Sequence, residues 1–118
     1  MISHARQAGV DALAVTDDAV FSAVYERIAE LATNNRLPTI GSDTLARAGG
    51  LIGYGVNFPE IFYRGAYFVD RILKGTKPAD LPVEQATKFI LVLNRKTARA
   101  LGFGIPPTLI ARADEVIE

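Results

Sequence analysis

Apolar residues along this chain alternate between strand-like and helix-like spacing. A nearly continuous apolar run, Val10–Thr16, predicts a strand buried on both faces of a parallel sheet. From Val20 to Leu31 the apolar positions recur at helical intervals, and a second short run, Leu37–Gly41, follows. Because a strand, an amphipathic helix and a second strand follow one another, residues 10–41 predict a βαβ unit.

The next part of the chain predicts a short helix, a strand and a long helix. Asp43 can cap a helix over Thr44–Ala48, and Gly49-Gly50 ends it. Leu51–Val56 is then extended, and Asn57 begins a helix that runs to Lys74, with Glu60 completing a capping box. The predicted buried face of this helix consists of Ile61, Gly65, Ala66, Val69, Ile72 and Leu73.

A polar linker, residues 75–87, separates the long helix from the next predicted strand, Thr87–Leu93. Connections inside an ordinary βαβ unit are about 2–6 residues long, so we expect the chain to cross between two parts of the structure here. Asn94 then caps a helix that Gly102 closes. Pro106-Pro107 starts a last helical turn, and a charged tail follows.

Composition narrows the functional classes. A chain of 118 residues with 49% hydrophobic content can form a globular domain with a real core. Thirteen basic residues balance thirteen acidic ones, which argues against nucleic acid or an anionic membrane surface as partners. With no cysteine and a single histidine, His4, neither a thiolate metal site nor a Ser/His/Asp triad can be assembled. We therefore expect no cofactor and no metal site.

Candidate binding residues lie where the predicted strands end. In open α/β sheets ligands bind beyond the carboxyl ends of parallel strands, so these positions are selected without further assumptions. The candidates are Thr16, Asp17, Asp18, Ser42, Asp43, Tyr54 and Asn57.

Each of these polar residues also has a purely structural interpretation. Asp, Ser and Asn at strand-to-helix junctions are preferred helix caps, worth about 1 kcal/mol each, and we favour that role for Asn57 and Asn94. Adjacent carboxylates such as Asp17 and Asp18 repel each other unless a positive or hydrogen-bonding group, for example an ammonium, lies between them. Tyr54, between two glycines, can stack on a flat ligand or simply pack.

Three segments carry a resemblance to a known family: GGLIGYGVN, VDRILKGTKPADLPVEQATKF and NRKTARALG. They resemble the carboxy-terminal part of the substrate-binding proteins of ABC importers, in the family associated with aromatic amino acids and similar small ligands. The resemblance implies a type I periplasmic-binding-protein fold, with a Rossmann-like parallel α/β sheet flanked by helices in each of two lobes. On that pattern, residues 1–46 and 86–118 belong to the second lobe, 50–76 are a strand–helix segment of the first, and 77–85 form a crossing linker.

The resemblance also implies a function. A protein of this kind captures a small organic solute, such as an amino acid, and delivers it to an ABC permease in the membrane without catalysing a reaction. The family places an acidic or amide pair facing the cleft where Asp17-Asp18 stands here. The full-length protein would then be periplasmic, or extracytoplasmic and lipid-anchored, with its signal sequence and most of its first lobe outside this chain.

Two alternatives remain open at this point. In a flavodoxin-like or receiver-like domain, Asp17-Asp18 would bind Mg²⁺, although Lys88 lies at the start of its strand rather than at the end where a receiver needs a lysine. Alternatively, the isolated chain binds nothing. The sequence does not identify the solute.

The segment 50–76 predicts self-association. If its sheet lies mostly in the first lobe, its helix exposes an apolar face that exceeds what a soluble monomer usually tolerates. We therefore expect a homo-oligomer, most simply a symmetric dimer. The face includes some of Phe58, Ile61, Phe62, Tyr67, Val69 and Leu73.

Overall fold

The computed structural model describes residues 1–118, which form two compact units. The larger unit consists of Met1–Gly55 and Ile90–Glu118, and the smaller unit consists of Val56–Phe89. No helix of the chain combines the length and the apolar character that crossing a bilayer requires.

A five-stranded, mostly parallel sheet with helices around it forms the larger unit, which confirms the predicted α/β fold class. The strands lie in chain order, and parallel pairing is seen between the first and second, the second and third, and the fourth and fifth. They are β1 Leu13–Ala14, β2 Thr39–Gly41, β3 Ile52–Val56, β4 Phe89–Asn94 and β5 Glu115–Ile117.

Two strand predictions need correction. The run Val10–Thr16 was expected to be buried on both faces, but β1 has two residues and none of the run is fully buried. The reason is its position at the edge of the sheet, where it pairs only with β2. The tail, in contrast, contains a strand that local patterning did not indicate. β5 forms because Leu93 and Val116 align across a parallel pairing with β4.

The predicted single helix after β1 is two helices, α2 Ala19–Ser22 and α3 Tyr25–Asn34. Val24, at φ −130° and ψ 18°, lies outside the helical region and separates them. The buried residues of α3 are Tyr25, Ala29 and Ala32, whereas α2 buries none. The break therefore lets α3 direct its inward face to the core independently of the turn before it.

The other helices of the larger unit are α1 Ile2–Gln7, α4 Asp43–Arg47, α6 Arg95–Leu101 and α7 Pro107–Ile110. The cap of α4 is Ser42 rather than the predicted Asp43, because the Ser42 hydroxyl accepts a hydrogen bond from the Leu45 N–H while Asp43 is already helical. Gly102 closes α6 in the left-handed region at φ +79°, as its position after the predicted helix required.

The core of the larger unit is small and aliphatic. Its largest fully buried side chains are Leu37, Leu45, Val92 and Leu93. Buried alanines fill the space between the helices and the sheet, so helix and strand backbones approach closely. No buried side-chain nitrogen or oxygen lacks a hydrogen-bond partner.

The smaller unit contains the helix α5 Phe58–Leu73, a 3₁₀ turn Pro78–Asp80 and the segment that returns to β4. Asn57 caps α5 by accepting from the Glu60 N–H at 3.3 Å. The reciprocal half of the predicted capping box is absent. The Glu60 carboxylate pairs with the Lys88 ammonium at 2.8 Å, and the Asn57 N–H donates to the Lys88 carbonyl.

The predicted buried face of α5 is exposed within the unit. Residues at helical spacing along one side remain in contact with solvent, and α5 has no buried residue at all. We call this side the α5 stripe; it consists of Phe58, Ile61, Phe62, Val69, Ile72 and Leu73. The smaller unit contains no sheet that could cover the stripe, and the sequence predicted such an exposed face for a helix whose sheet lies mostly outside this chain.

The sequence also predicted that the chain passes from the second lobe to the first at Gly49-Gly50. The structure keeps β3 in the five-stranded sheet, and the chain leaves the larger unit after Gly55 and re-enters it at Ile90. The pairing of β3 with β2, in which Gly41 lies opposite Gly53, explains the difference. The strand part of the predicted strand–helix segment therefore belongs to the same sheet as β1 and β2.

Gly53 offers a direct test of this pairing. A Cβ at this position would lie 2.6 Å from the Asp43 Cα and 2.7 Å from the Ser42 carbonyl, both backbone atoms that cannot yield easily. We expect Gly53→Ala to lower the free energy of unfolding by about 1–3 kcal/mol, as overpacking usually does. Gly55→Ala is the matched control in the same strand, because nothing lies within 4 Å of its added Cβ. Urea denaturation followed by circular dichroism measures both, and equal stability of the two variants would contradict the close approach.

Candidate functional site

Most of the sequence-predicted site residues lie at the carboxyl ends of three neighbouring strands. Thr16, Asp17 and Asp18 follow β1, Ser42 and Asp43 follow β2, and Tyr54 lies in β3. Because Ile40 aligns with both Ala14 and Ile52, these ends meet at one edge of the sheet. Asn57 belongs to the smaller unit and caps α5 there.

A hydrogen-bonded chain links the ends of β1 and β2. The Tyr25 hydroxyl donates to Asp17 Oδ1 at 3.1 Å, and the Ser42 hydroxyl donates to the Tyr25 oxygen at 3.4 Å. Tyr25 is 3% exposed, so its ring belongs to the core while its hydroxyl reaches the site. Burial raises the pKa of the Tyr25 phenol, and the nearby carboxylates of Asp17 and Asp18 raise it further, against the opposing effect of the Ser42 hydrogen bond. Tyr25 is therefore a protonated donor at neutral pH.

The two adjacent aspartates have different roles in the structure. Asp18 caps α2, since its Oδ1 accepts from the Val20 N–H at 2.8 Å. Asp17 accepts from Tyr25, and its carboxylate faces solvent. Each carboxylate thus has its own hydrogen-bond donor, which offsets part of the repulsion between the two charges. Of the pair, Asp17 is the one whose chemistry is not explained by capping.

Asp43 belongs to a charged cluster with Arg47 of α4 and Glu115 of β5. Arg47 bonds to the Asp43 carboxylate one turn earlier and to Glu115 on β5, with its Nη2 2.8 Å from Glu115 Oε2. Chiefly through the hydrogen bonds that Arg47 donates to Glu115, these carboxylates raise the pKa of the Arg47 guanidinium. Because Asp43 already neutralises Arg47, its carboxylate is a poor candidate for ligand contact.

Tyr54 and Thr16 lie on different surfaces of the site. The Tyr54 side chain is 57% exposed. The preceding Gly53 is explained by its close approach to Ser42 and Asp43, whereas Gly55 has open space around it. Thr16 borders an apolar cavity of about 300 Å³ between α1, β1 and the following helices, together with residues such as Leu13, Phe21 and Ile28.

The smaller unit has a cavity of its own, of about 580 Å³, between α5 and the returning segment 84–88. Asn57 borders it, as do the ion pairs Arg64–Glu84 and Lys88–Glu60. Arg64 also lies over the Tyr67 ring, 4.0 Å from its centre. The Arg64 hydrogen bond holds the pKa of Glu84 below its ordinary value, and Glu84 in turn raises the pKa of Arg64.

Sequence reasoning missed Tyr25, Arg47 and Glu115. Tyr25 carried a weak signal. It and Phe21 are the only aromatic residues in the predicted helical segment that follows Asp17-Asp18. Arg47 and Glu115 carried none, because they lie 68 positions apart and meet only through the pairing of β4 with β5. No group of three or more His, Cys, Asp and Glu side chains is placed to hold a metal ion.

Comparison with protein families gives one match that spans the chain. The sequence profile of the family described as ABC transporter substrate binding protein matches residues 1–117. No individual curated protein sequence matches the chain significantly.

Solved structures give the same result at the level of the fold. A conserved domain protein from Vibrio cholerae O1 biovar eltor superposes with a TM-score of 0.86 at 27% identity, over 98% of this chain and 40% of its own. An ABC domain in complex with L-Trp from Streptococcus pneumonia has a TM-score of 0.85 at 26% identity, with the same coverage. The ligand-free, open structure of a substrate-binding protein with adhesive properties from Clostridium difficile, at 22% identity and a TM-score of 0.70, shares the fold. The chain thus spans 40% of the length of each of these three proteins.

The Arg64–Glu84 pair gives a prediction about charge in the smaller unit. Arg64→Gln should raise the Glu84 pKa toward the ordinary glutamate value of about 4.3, because the main cause of its depression is removed. A depressed carboxylate pKa stabilises the folded segment above the unfolded pKa, and the effect is lost as the pH falls through the folded pKa. Carbon-detected NMR titration of Glu84 measures the shift. Arg27→Gln, which removes an exposed pair with Glu30 in the larger unit, should leave Glu84 unchanged; an unshifted Glu84 in Arg64→Gln would refute the pairing.

Proposed function

The chain belongs to the family of ABC transporter substrate-binding proteins, and from this we propose that it is part of the solute-binding component of an ABC importer. The component captures a small organic solute, such as an amino acid, and passes it to a permease in the membrane without catalysing a reaction. It works outside the cytoplasm, in the periplasm or tethered to the cell surface.

The observation that carries the proposal is the structural match to an ABC domain in complex with L-Trp, at 26% identity and a TM-score of 0.85. The chemistry at the strand ends is compatible with an amino acid. The exposed Asp17 carboxylate can accept hydrogen bonds from an α-ammonium group, and the exposed Tyr54 ring can stack on a flat side chain. Thr16 adds an exposed hydroxyl at the end of β1, whereas the buried Ser42 hydroxyl acts through its hydrogen bond to Tyr25.

We further propose that the two units belong to different lobes of the complete protein. The larger unit would be the second lobe, and the helical part of residues 50–76 would pack against the first lobe, with 77–85 as a crossing linker. The exposed α5 stripe supports this assignment, because a stripe of six apolar side chains at helical spacing is what a helix presents to a core. Closure of the lobes would bury the ligand and exclude water.

The Mg²⁺-binding alternative gains no support from the site. Asp18 is used as a helix cap, and no group of three or more His, Cys, Asp and Glu side chains is placed to hold a metal ion. No specific observation favours a receiver-like function.

Replacing the aspartates tests the proposal in the full-length protein. Asp17→Ala combined with Asp18→Ala should abolish amino acid binding in isothermal titration calorimetry, using L-tryptophan as the first probe. Stability should fall by only about 1–2 kcal/mol, for one cap and one hydrogen bond. Asp18→Asn, which keeps a capping oxygen, and Asp11→Ala, at an exposed site elsewhere in the larger unit, are the controls. Unchanged affinity in the double variant would remove Asp17 and Asp18 from the site, and binding only of sugars, nucleotides or metals by the wild type would refute an amino acid ligand.

Self-association of the 118-residue chain remains a prediction that the α5 stripe supports. Phe62 and Leu73 are 75% and 82% exposed, so burying them between two copies is favourable. We expect a dimer or larger species in light scattering at micromolar concentration. Phe62→Glu with Leu73→Lys should shift the chain toward monomer, whereas Tyr63→Glu, on the other side of the helix and 84% exposed, should not. A monomeric wild type would contradict association through this face.

A further inference from the structure

We propose that Tyr25 is a positioning residue: its buried hydroxyl joins Ser42 to Asp17 and fixes the direction in which the Asp17 carboxylate meets a ligand. The structural part of this inference stands on the hydrogen-bonded chain itself. The ligand part rests on the proposed function, in which Asp17 contacts the bound solute.

The hydrogen bonds that connect Leu45, Ser42, Tyr25 and Asp17 all run in one direction. The Leu45 N–H at the start of α4 donates to the Ser42 oxygen at 3.4 Å, Ser42 donates to Tyr25 at 3.4 Å, and Tyr25 donates to Asp17 Oδ1 at 3.1 Å. Asp17 is therefore the final acceptor. Hydrogen bonds arranged in series also polarise one another. The second carboxylate oxygen of Asp17, Oδ2, can accept a hydrogen bond from a ligand. A site built in this way favours ligands that donate, such as an ammonium group, over ligands that only accept.

Asp17 needs such support because its backbone surroundings provide little. It follows a two-residue edge strand, and Thr16 and Asp18 on either side are exposed. Tyr25, in contrast, is 3% exposed at the start of α3, with Ala29 one turn later at 2%. The hydrogen bond from this well-packed tyrosine therefore restricts the rotation of the Asp17 side chain. A fixed carboxylate loses less conformational entropy when a ligand binds.

The break between α2 and α3 makes this contact possible. Asp18 caps α2 and Val24 interrupts the helix, so a new helix begins at Tyr25, whose hydroxyl contacts Asp17, eight positions earlier. In one continuous helix, residues eight apart would lie two turns, about 12 Å, from each other. The irregular geometry that sequence periodicity missed is thus what assembles the proposed site.

The test uses the full-length protein with Tyr25→Phe, which keeps the buried ring and removes only the hydroxyl. Tyr63→Phe is the matched control, since that side chain is 84% exposed. The first measurement is independent of any ligand: three-bond NMR couplings report the χ1 rotamer of Asp17. We expect one rotamer in the wild type and in Tyr63→Phe, and averaged couplings in Tyr25→Phe. An unchanged single rotamer in Tyr25→Phe overturns the proposal.

A second ligand-independent measurement tests the chain through tyrosine titration. The Asp17 and Asp18 carboxylates and the Ser42 hydroxyl act on the Tyr25 phenol. Asp17→Asn should lower the Tyr25 pKa, because a raising charge is removed, and Ser42→Ala should raise it, because the phenolate loses a donor. A Tyr25 pKa that neither variant moves shows that the hydrogen-bonded chain is absent, which also overturns the proposal.

Calorimetry with L-tryptophan connects the positioning to binding. Tyr25→Phe should weaken the affinity about tenfold, and Tyr63→Phe should leave it unchanged. If the wild type binds and Tyr25→Phe binds equally well, positioning by Tyr25 does not serve the ligand and the proposal fails. If the wild type does not bind any amino acid, the proposed function fails instead, and the rotamer and titration measurements still decide the role of Tyr25.

Discussion

The larger unit depends on the hydrogen bonds of one buried side chain, that of Asn94. It is 4% exposed, donates to the Ala46 carbonyl of α4 at 3.0 Å and accepts from the Thr97 N–H of α6 at 3.0 Å. Its backbone N–H also bonds to the Leu51 carbonyl. Because an unpaired buried amide is costly, these bonds define one arrangement of two helices on the end of β4. Asn94 is thus a structural amide and not a ligand residue, although it lies at a strand end.

The arrangement of α4 has consequences for the site. With α4 held by Asn94, its cap Ser42 has a defined position, and Ser42 in turn bonds to Tyr25. Gly53 allows β3 to lie directly against the backbone of Ser42 and Asp43, since any side chain there would collide. The strand ends are therefore packed to backbone contact, which is the rigid scaffold that a recognition site requires. The Tyr25 hydroxyl connects the Asp17 side chain to this packing and so orients it.

Structural and functional roles compete for the same polar residues at this edge. Asp18 and Ser42 cap helices, and Asp43 pairs with Arg47, so several residues that the binding rule selects are already engaged. Capping uses one oxygen of a carboxylate or hydroxyl, and the remaining lone pairs stay available where the side chain is exposed. The smaller unit differs in kind. Its polar residues form salt bridges between α5 and the returning segment, while the apolar side chains of the α5 stripe are exposed.

The sequence by itself determined the α/β class, the existence of the first four strands along the chain, and most helix ends, because these depend mainly on patterns within a few residues. Asn57 and Asn94 bond to N–H groups three positions on, and Gly102 stops α6 by its own backbone freedom. Only the tertiary structure decided the length of β1, the existence of β5 and the partners of Asp43. Those features depend on pairing with residues far along the chain, such as Glu115 with Arg47, and no local pattern encodes which distant group will arrive. Tyr25 shows the same limit, since its hydroxyl became part of the site only because a helix break turned it toward Asp17.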